Sequence, residues 1–184
     1  MLEHTDMPKR QASAFAAELL SQMCIPDANE MLDRYPFQLT GGMAQRVLLA
    51  IGVALKPRIL IADEPTSNLD VTLQAEILHR LRRLREENGT AIMLITHDLG
   101  VIAQMAEMVA VMYGGSIVEY ADTLTLYRRH MHPNTWGLFQ ALPRSDAPDH
   151  SLKPLSGAPP LMLDPPDQCP FLPSLLNAPS VCCI

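Results

Sequence analysis

The sequence has few cysteines, few aromatic residues and no cluster of basic residues. Four cysteines occur in 184 residues, and aromatic side chains make up 5%. Four thiols are too few for a disulfide scaffold in a chain of this length, so a reducing compartment is expected. The net charge is −6 and no basic block is present, which argues against a nucleic-acid partner.

Long hydrophobic runs and a secretory signal are also missing. The longest apolar stretch, residues 47–55, is too short to cross a bilayer. The first residues, MLEHTDMPKRQ, include acidic side chains and no apolar run, unlike a secretory signal. Hydrophobic residues make up 48% of the chain, which is enough to bury the core of one domain, with or without a tail.

The hydrophobic pattern predicts alternating helices and strands, which favours an α/β layer fold. The helix expected at 42–55 is apolar on nearly all sides and should be mostly buried. The run at 59–62 is unbroken and apolar, as is typical of a central parallel strand. Other predicted helices lie at 8–23, 27–34, 72–88, 99–106, 122–129 and 134–142, a strand at 91–96, and a hairpin at 108–113 and 117–120 around Gly114 and Gly115. The helix at 72–88 is amphipathic and is closed by Gly89, and its apolar stripe consists of Leu73, Ile77, Leu78, Leu81 and Leu84.

Two acidic residues follow the predicted strand at 59–62. Asp63 and Glu64 come at its carboxyl end, where open α/β sheets place their ligands. In phosphoryl-transfer sites an acid in this position holds Mg²⁺, and an adjacent acid orients or deprotonates the attacking water. A solvated strand end with no catalytic role is the alternative interpretation of the same pair.

Two further segments suit phosphate chemistry. Thr40, Gly41 and Gly42 precede a predicted helix, whose first N–H groups bind anions while glycine lets a phosphate approach the backbone. His97 follows the strand at 91–96 and is placed to contact a γ-phosphate or its attacking water. Each feature alone is more often structural: an ordinary capped helix start in the first case, a structural histidine in the second.

In their order along the chain, these segments resemble the ATPase subunits of ABC transporters. LTGGMAQ resembles the signature motif, ILIADEP the Walker B strand, SNLD the D-loop and ITHDL the switch-histidine segment. The resemblance is strong over residues 35–120. It implies an α/β fold: a partial P-loop NTPase core with a helical signature region, a small β-hairpin and a proline-rich C-terminal tail.

The resemblance also implies a domain organisation. The partial ATPase domain is expected at 1–142, with its signature region at about 8–56 and its Walker B to switch-histidine core at about 57–120. Residues 143–184 contain ten of the 16 prolines and resemble the C-terminal extension of peptide importers.

The roles of individual residues follow from the resemblance. Asp63 is expected to bind Mg²⁺, Glu64 to act as the catalytic base, and His97 to contact the γ-phosphate. The residues expected to bind ATP across a dimer with a second ATPase subunit are Thr40, Gly41, Gly42 and Gln45, with Asp70 of the D-loop communicating across the interface.

Longer segments narrow the resemblance to the di- and oligopeptide/nickel importer group. YPFQLTGGMAQR and HPNTWGLFQALPR are similar to that group, although Thr40 replaces its usual serine, Ala44 a basic residue and Asn134 an aromatic residue. The expected partners are a second ABC ATPase subunit in a homo- or heterodimer, transmembrane permease subunits and, indirectly, an extracytoplasmic solute-binding protein. The expected location is the cytoplasmic face of the plasma membrane. The C-terminal tail at 143–184 favours peptide over nickel as the transported solute.

One motif of that family is absent from these 184 residues. A Walker A loop requires G-x-x-x-x-G-K-[S/T], and none of the three lysines, Lys9, Lys56 and Lys153, follows a glycine. The chain alone is therefore expected to bind ATP weakly and to be inactive. We hypothesise a fragment or a truncated gene product. The family's missing strand is central, so apolar surface should be exposed near residues 59–62.

Two alternatives to a working importer ATPase follow from these observations. A non-catalytic or regulatory remnant, which only dimerises with an intact ATPase, fits the missing Walker A loop. A chromosome or repair ATPase would carry long heptad coiled coils, which the sequence lacks. The tail thiols of Cys169, Cys182 and Cys183 are irregularly spaced, and an iron–sulfur cluster needs several convergent thiolates, so no cluster is expected.

Overall fold

The computed structural model describes residues 2–141 and residue 171, and the chain divides into two compact units between Met105 and Ala106. The elements of the N-terminal unit are α1 (Lys9–Gln22), α2 (Ala28–Met31), α3 (Gly41–Val53), β1 (Ile59–Asp63), α4 (Val71–Asn88), β2 (Ala91–Ile95) and α5 (Leu99–Met105), with a 3₁₀ turn at Pro36–Gln38. Those described in the C-terminal unit are β3 (Met108–Tyr113), β4 (Ser116–Asp122), α6 (Thr123–Arg129) and α7 (Pro133–Gln140).

The N-terminal unit is built around one hydrophobic cluster. Helices α1, α3 and α4 and strand β1 all contribute to it, and the side chains of Met23, Ile77 and Leu81 are almost completely buried. The stripe predicted on the helix at 72–88 is the face of α4 that packs into this cluster, so that prediction is confirmed. None of the described helices is long and apolar enough to cross a membrane.

Strands β1 and β2 form a parallel pair whose carboxyl ends lie side by side. Ile59 pairs with Ala91 and Asp63 pairs with Ile95. On the inner face of this pair, Leu60 and Ala62 are buried, with Leu60 in the hydrophobic cluster. The pairing places the residues that follow both strands at one edge of the sheet, where the sequence predicts ligand-binding groups.

The outer face of the β1–β2 pair is apolar and exposed. It consists of Ile59, Ile61, Met93 and Ile95. The predicted exposure of apolar surface near residues 59–62 is therefore confirmed. The prediction of a central strand is wrong for the described residues, since β1 pairs there with β2 alone. Parallel sheets are normally covered on both faces, and here helices cover one.

Helix α3 is less buried than its sequence predicts. Its buried side chains are Arg46, Leu49, Ala50 and Val53, whereas Leu48 is 67% exposed and Ile51 65% exposed. The expectation of a mostly buried helix is wrong because α3 packs on one side, against α1 and β1, in the part of the chain that the structure describes.

Glycines end α4 and form the hairpin as predicted. Gly89 follows α4 with φ 65°, and Gly114 and Gly115 connect β3 to β4 with φ 52° and 74°. Positive φ at both central positions is what a tight two-residue hairpin turn requires, and glycine adopts it without steric cost. The boundary predicted at residue 143 lies outside the described residues. Within the C-terminal unit, Phe171 is buried against the rings of Tyr113 and His132.

Candidate functional site

Glu64 occupies a turn at the carboxyl end of β1. Its backbone is left-handed, with φ 46°, and its N–H donates to the carbonyl of Ile95 at 2.9 Å. This bond extends the β1–β2 ladder by one residue before the chain turns away. A left-handed conformation is unfavourable for a residue with a Cβ, and such strain is concentrated at functional sites.

Glu64 and His97, predicted separately from two strand ends, are in direct contact. The Nδ1 atom of His97 lies 2.7 Å from Oε1 of Glu64, and the backbone N–H of His97 donates to the same oxygen at 3.2 Å. The pair faces solvent, with His97 84% and Glu64 36% exposed. The hydrogen bond and the negative charge of Glu64 raise the pKa of His97 above its usual value, which favours the imidazolium.

Asp63 is the last residue of β1, and its side chain is exposed beside Glu64. The strand end therefore presents two adjacent carboxylates at the sheet edge. Mg²⁺ prefers oxygen ligands and usually binds through one or two carboxylates together with phosphate and water. The donor set at this edge therefore fits Mg²⁺, and the prediction for Asp63 is chemically consistent with its position.

The signature segment forms the start of α3. Thr40 caps the helix, its Oγ1 accepting from the N–H of Met43 at 3.3 Å. The next two glycines differ in their surroundings. A Cβ on Gly41 would have no atom within 4 Å, whereas a Cβ on Gly42 would lie 3.0 Å from the carbonyl oxygen of Asn68. Gly41 thus leaves the helix N-terminus open to an anion, and Gly42 permits close packing against the turn after β1.

Gln45 lies on the first turns of α3 and faces the strand end. Its Nε2 donates to the main-chain carbonyl of Glu64 in the same chain. Its Oε1 is buried and has no hydrogen-bond partner among the described residues. The structure therefore brings Gln45 together with Glu64, and a contact of Gln45 with ATP across a dimer stays a prediction.

Asp70 caps α4. Its Oδ1 accepts from the N–H groups of Thr72 and Leu73 at 3.1 and 3.0 Å. A carboxylate at this position satisfies helix N–H groups that have no partner within the helix. This local role explains the residue type, and communication across a dimer interface stays a prediction.

Asp98 and Gln74 form a second polar contact beside His97. Asp98 caps α5 by accepting from Gly100 and Val101 at 2.8 and 3.2 Å, and Gln74 donates to its other oxygen at 3.1 Å. Burial acts to raise the pKa of Asp98, but these hydrogen bonds outweigh it and lower that pKa. Sequence reasoning missed Gln74, although its spacing from Ile77 and Leu78 on α4 indicates an inward-facing position.

Sequence comparison finds two protein families that match this chain. Residues 2–67 match the ABC transporter family, and residues 118–180 match the oligopeptide/dipeptide transporter C-terminal region. The dipeptide transport ATP-binding protein DppD of Bacillus subtilis is 42% identical over 182 residues, which cover 99% of this chain and 54% of that protein. DppD of Lactococcus lactis is 47% identical over 167 residues, covering 90% of this chain and 48% of that protein.

The oligopeptide transport ATP-binding protein OppD of Escherichia coli is 39% identical, with 99% of this chain and 54% of that protein covered. The chain thus spans about half the length of these curated relatives. Among solved structures, a dimeric ATP-binding cassette in a post-hydrolysis state bound to ADP and Pi superposes with a TM-score of 0.60 at 28% identity. That match covers 65% of this chain and 50% of the other. The predicted fold class is confirmed.

Proposed function

We propose that this chain, which matches the ABC transporter family over residues 2–67, contributes the signature segment, the catalytic acid and the switch histidine to an ATP site. The site would energise the uptake of peptides. The observation that carries the proposal is the contact between Glu64 and His97. Two groups predicted from different strands for one reaction lie 2.7 Å apart.

The chemistry assigned to this chain is proton transfer and orientation. Glu64 accepts the proton of the attacking water. Both His97 contacts involve Oε1, so Oε2 of Glu64 is the oxygen assigned to the water. Asp63 would hold Mg²⁺, which neutralises developing charge on the phosphate oxygens when bound. The N–H groups after Thr40 and Gly41 would bind phosphate oxygens from the opposite side of a dimer.

The remaining parts of the site come from outside these residues. The 184 residues contain no G-x-x-x-x-G-K-[S/T] loop, so another segment or chain supplies the group that holds the β- and γ-phosphates. We infer that a second ABC ATPase subunit pairs with this chain and that permease subunits hold the pair at the cytoplasmic face of the membrane. A solute-binding protein acts indirectly. Peptide is the proposed solute, supported by the match at residues 118–180.

Photolabelling tests this assignment. The chain is mixed with an ATPase subunit that carries a Walker A loop, in the presence of an ATP analogue with a photoreactive γ-phosphate. Trypsin releases the signature segment as one peptide, residues 35–46, between Arg34 and Arg46. We expect residues 35–46 to be labelled in a Mg²⁺-dependent way only when this chain and the Walker A-bearing ATPase subunit are both present. An absence of labelling at 35–46, while the partner's own nucleotide site is labelled, would contradict the proposal.

A second candidate function is a regulatory subunit that pairs with an intact ATPase without hydrolysing ATP. This candidate predicts the same labelling at residues 35–46 but no effect of Glu64→Gln on ATP turnover by the mixed assembly. The effect of Glu64→Gln on ATP turnover therefore distinguishes the catalytic function from the regulatory one.

A further inference from the structure

Three hydrogen bonds converge on the main-chain carbonyl of Glu64. Ser67 donates two of them, from its hydroxyl at 3.1 Å and its N–H at 3.4 Å. Gln45 donates the third through Nε2. Ser67 belongs to the same turn as Glu64, whereas Gln45 lies 19 positions earlier in a different element. Gln45 is thus the long-range partner of this carbonyl.

The Gln45 amide is held by that one bond. Its Oε1 is buried without a hydrogen-bond partner among the described residues. A buried amide oxygen without a partner is unfavourable, and native structures contain few such groups. The position of the Gln45 side chain is therefore stabilised by the hydrogen bond from its Nε2 to the carbonyl of Glu64.

The turn at Glu64 needs external support. A left-handed conformation at a residue with a Cβ persists only where the surroundings fix it. The N–H of Glu64 is fixed by Ile95, and its carbonyl by Gln45 and Ser67. With both peptide groups held, the side chain leaves the backbone in the direction that places Oε1 against His97.

Helix α3 touches the same turn at a second point. Gly42 precedes Gln45 by three residues, and its Cα packs so closely that a Cβ would lie 3.0 Å from the Asn68 carbonyl oxygen and 3.2 Å from Cδ2 of Leu69. The start of α3 and the turn after β1 are therefore joined at two places. A displacement of the signature segment would be transmitted to the carbonyl of Glu64.

We propose that Gln45 is a positioning residue that fixes the backbone of Glu64 and links the signature segment to the catalytic acid within one chain. The link is a property of this chain. Its consequence for catalysis rests on the proposed function: the segment that contacts one nucleotide of a dimer would control the acid that serves the other.

Amide hydrogen exchange measured by NMR on the full chain tests the link. Gln45→Met keeps the side-chain length and removes the donor. Gln22→Met is the matched control, because the Gln22 side chain donates to Glu18 on the exposed side of α1, and its main-chain carbonyl, which accepts from Arg80, is kept in the variant. We expect the Glu64 N–H to exchange about fivefold faster in Gln45→Met, the factor that one ordinary hydrogen bond supports. Exchange at Leu81 in the buried core should not change in either variant.

Unchanged exchange at Glu64 in a folded Gln45→Met chain would overturn the proposal, as would equal acceleration at Glu64 and Leu81. If the variant does not fold, the scalar coupling between Nε2 of Gln45 and the carbonyl carbon of Glu64 in the unaltered chain decides, because this coupling exists only across a hydrogen bond. Its absence would overturn the link.

Kinetics of the ATP-hydrolysing assembly test the catalytic consequence. Gln45→Met should lower kcat about fivefold and leave KM for ATP unchanged if its Nε2, which is bonded to the Glu64 carbonyl, acts by orienting the acid. A rise in KM with unchanged kcat would contradict a positioning role. If the unaltered assembly hydrolyses no ATP, the proposed function fails while the exchange measurement still decides whether Gln45 fixes Glu64.

Discussion

The two faces of the β1–β2 pair have similar side chains and opposite surroundings. Leu60 on the inner face is 8% exposed, and Ile61, the next residue, is 62% exposed on the outer face. Alternation of side chains along a strand sends neighbours to opposite faces, so this difference follows from the layers that cover each face. The apolar sequence of β1 therefore predicts that both faces of the strand can be buried. Among the described residues, helices cover only the inner face.

The same contrast between a covered and an open neighbour recurs at the candidate site. Gly42 is packed against Asn68 while Gly41 faces open space, and Asp98 is bonded to three groups while His97 is largely exposed. In each pair the covered residue holds the site together. The open residue faces the space assigned to the nucleotide.

The largest expected effect comes from the sheet faces. Leu60→Ala removes side-chain atoms from the hydrophobic cluster and should lower the free energy of unfolding by about 2–4 kcal/mol. Ile61→Ala should lower it by less than about 1 kcal/mol, since the side chain is exposed. Urea unfolding of the two variants measures both values. Equal losses would show that the outer face is covered in the isolated chain, contrary to this account.

The glycine pair should give an intermediate effect. Gly42→Ala places a Cβ against a backbone oxygen and should cost about 1–3 kcal/mol of stability. Gly41→Ala meets no atom and should leave stability unchanged or raise it by up to about 1 kcal/mol. Thermal unfolding compares the two. In the photolabelling assay, Gly41→Ala should nevertheless weaken labelling, because its methyl group enters the space assigned to a phosphate.

The smallest effect concerns pH and separates His97 from Asp98. Glu64 raises the pKa of His97 in the folded chain. The stability contributed by the His97–Glu64 contact is therefore fully present below the pKa that His97 has in the unfolded chain, and it is lost as pH rises through the pKa of His97 in the folded chain. Hydrogen bonds lower the pKa of Asp98 in the folded chain. The stability contributed by the Asp98 carboxylate is therefore present above the pKa that Asp98 has in the unfolded chain, and it is lost as pH falls through the pKa of Asp98 in the folded chain.

NMR titration of the chain measures both groups. In Glu64→Gln the pKa of His97 should fall toward its ordinary value of about 6.5, while Asp98 keeps its lowered pKa. A His97 pKa that does not respond to Glu64→Gln would contradict the contact.

Much of this architecture could be predicted from local pattern. The stripe on α4, the glycine after it and the Gly114–Gly115 hairpin were each specified by residues adjacent in sequence. The proximity of Glu64 and His97 was also predictable, because residues that follow parallel strands meet at one sheet edge. Long-range packing could not be predicted from local pattern. The exposure of one side of α3 depends on which elements cover it, and the bond from Gln45 to Glu64 depends on how α3 lies against β1.

The most direct test of the catalytic role of Glu64 is ATP turnover by the proposed assembly of this chain with a Walker A-bearing ATPase subunit, measured for the unaltered chain and for Glu64→Gln. We predict a fall of about 100-fold or more in kcat, as expected for loss of a general base, with photolabelling of residues 35–46 retained. Turnover that is unchanged by Glu64→Gln would contradict the catalytic role. It would leave this chain as a regulatory partner.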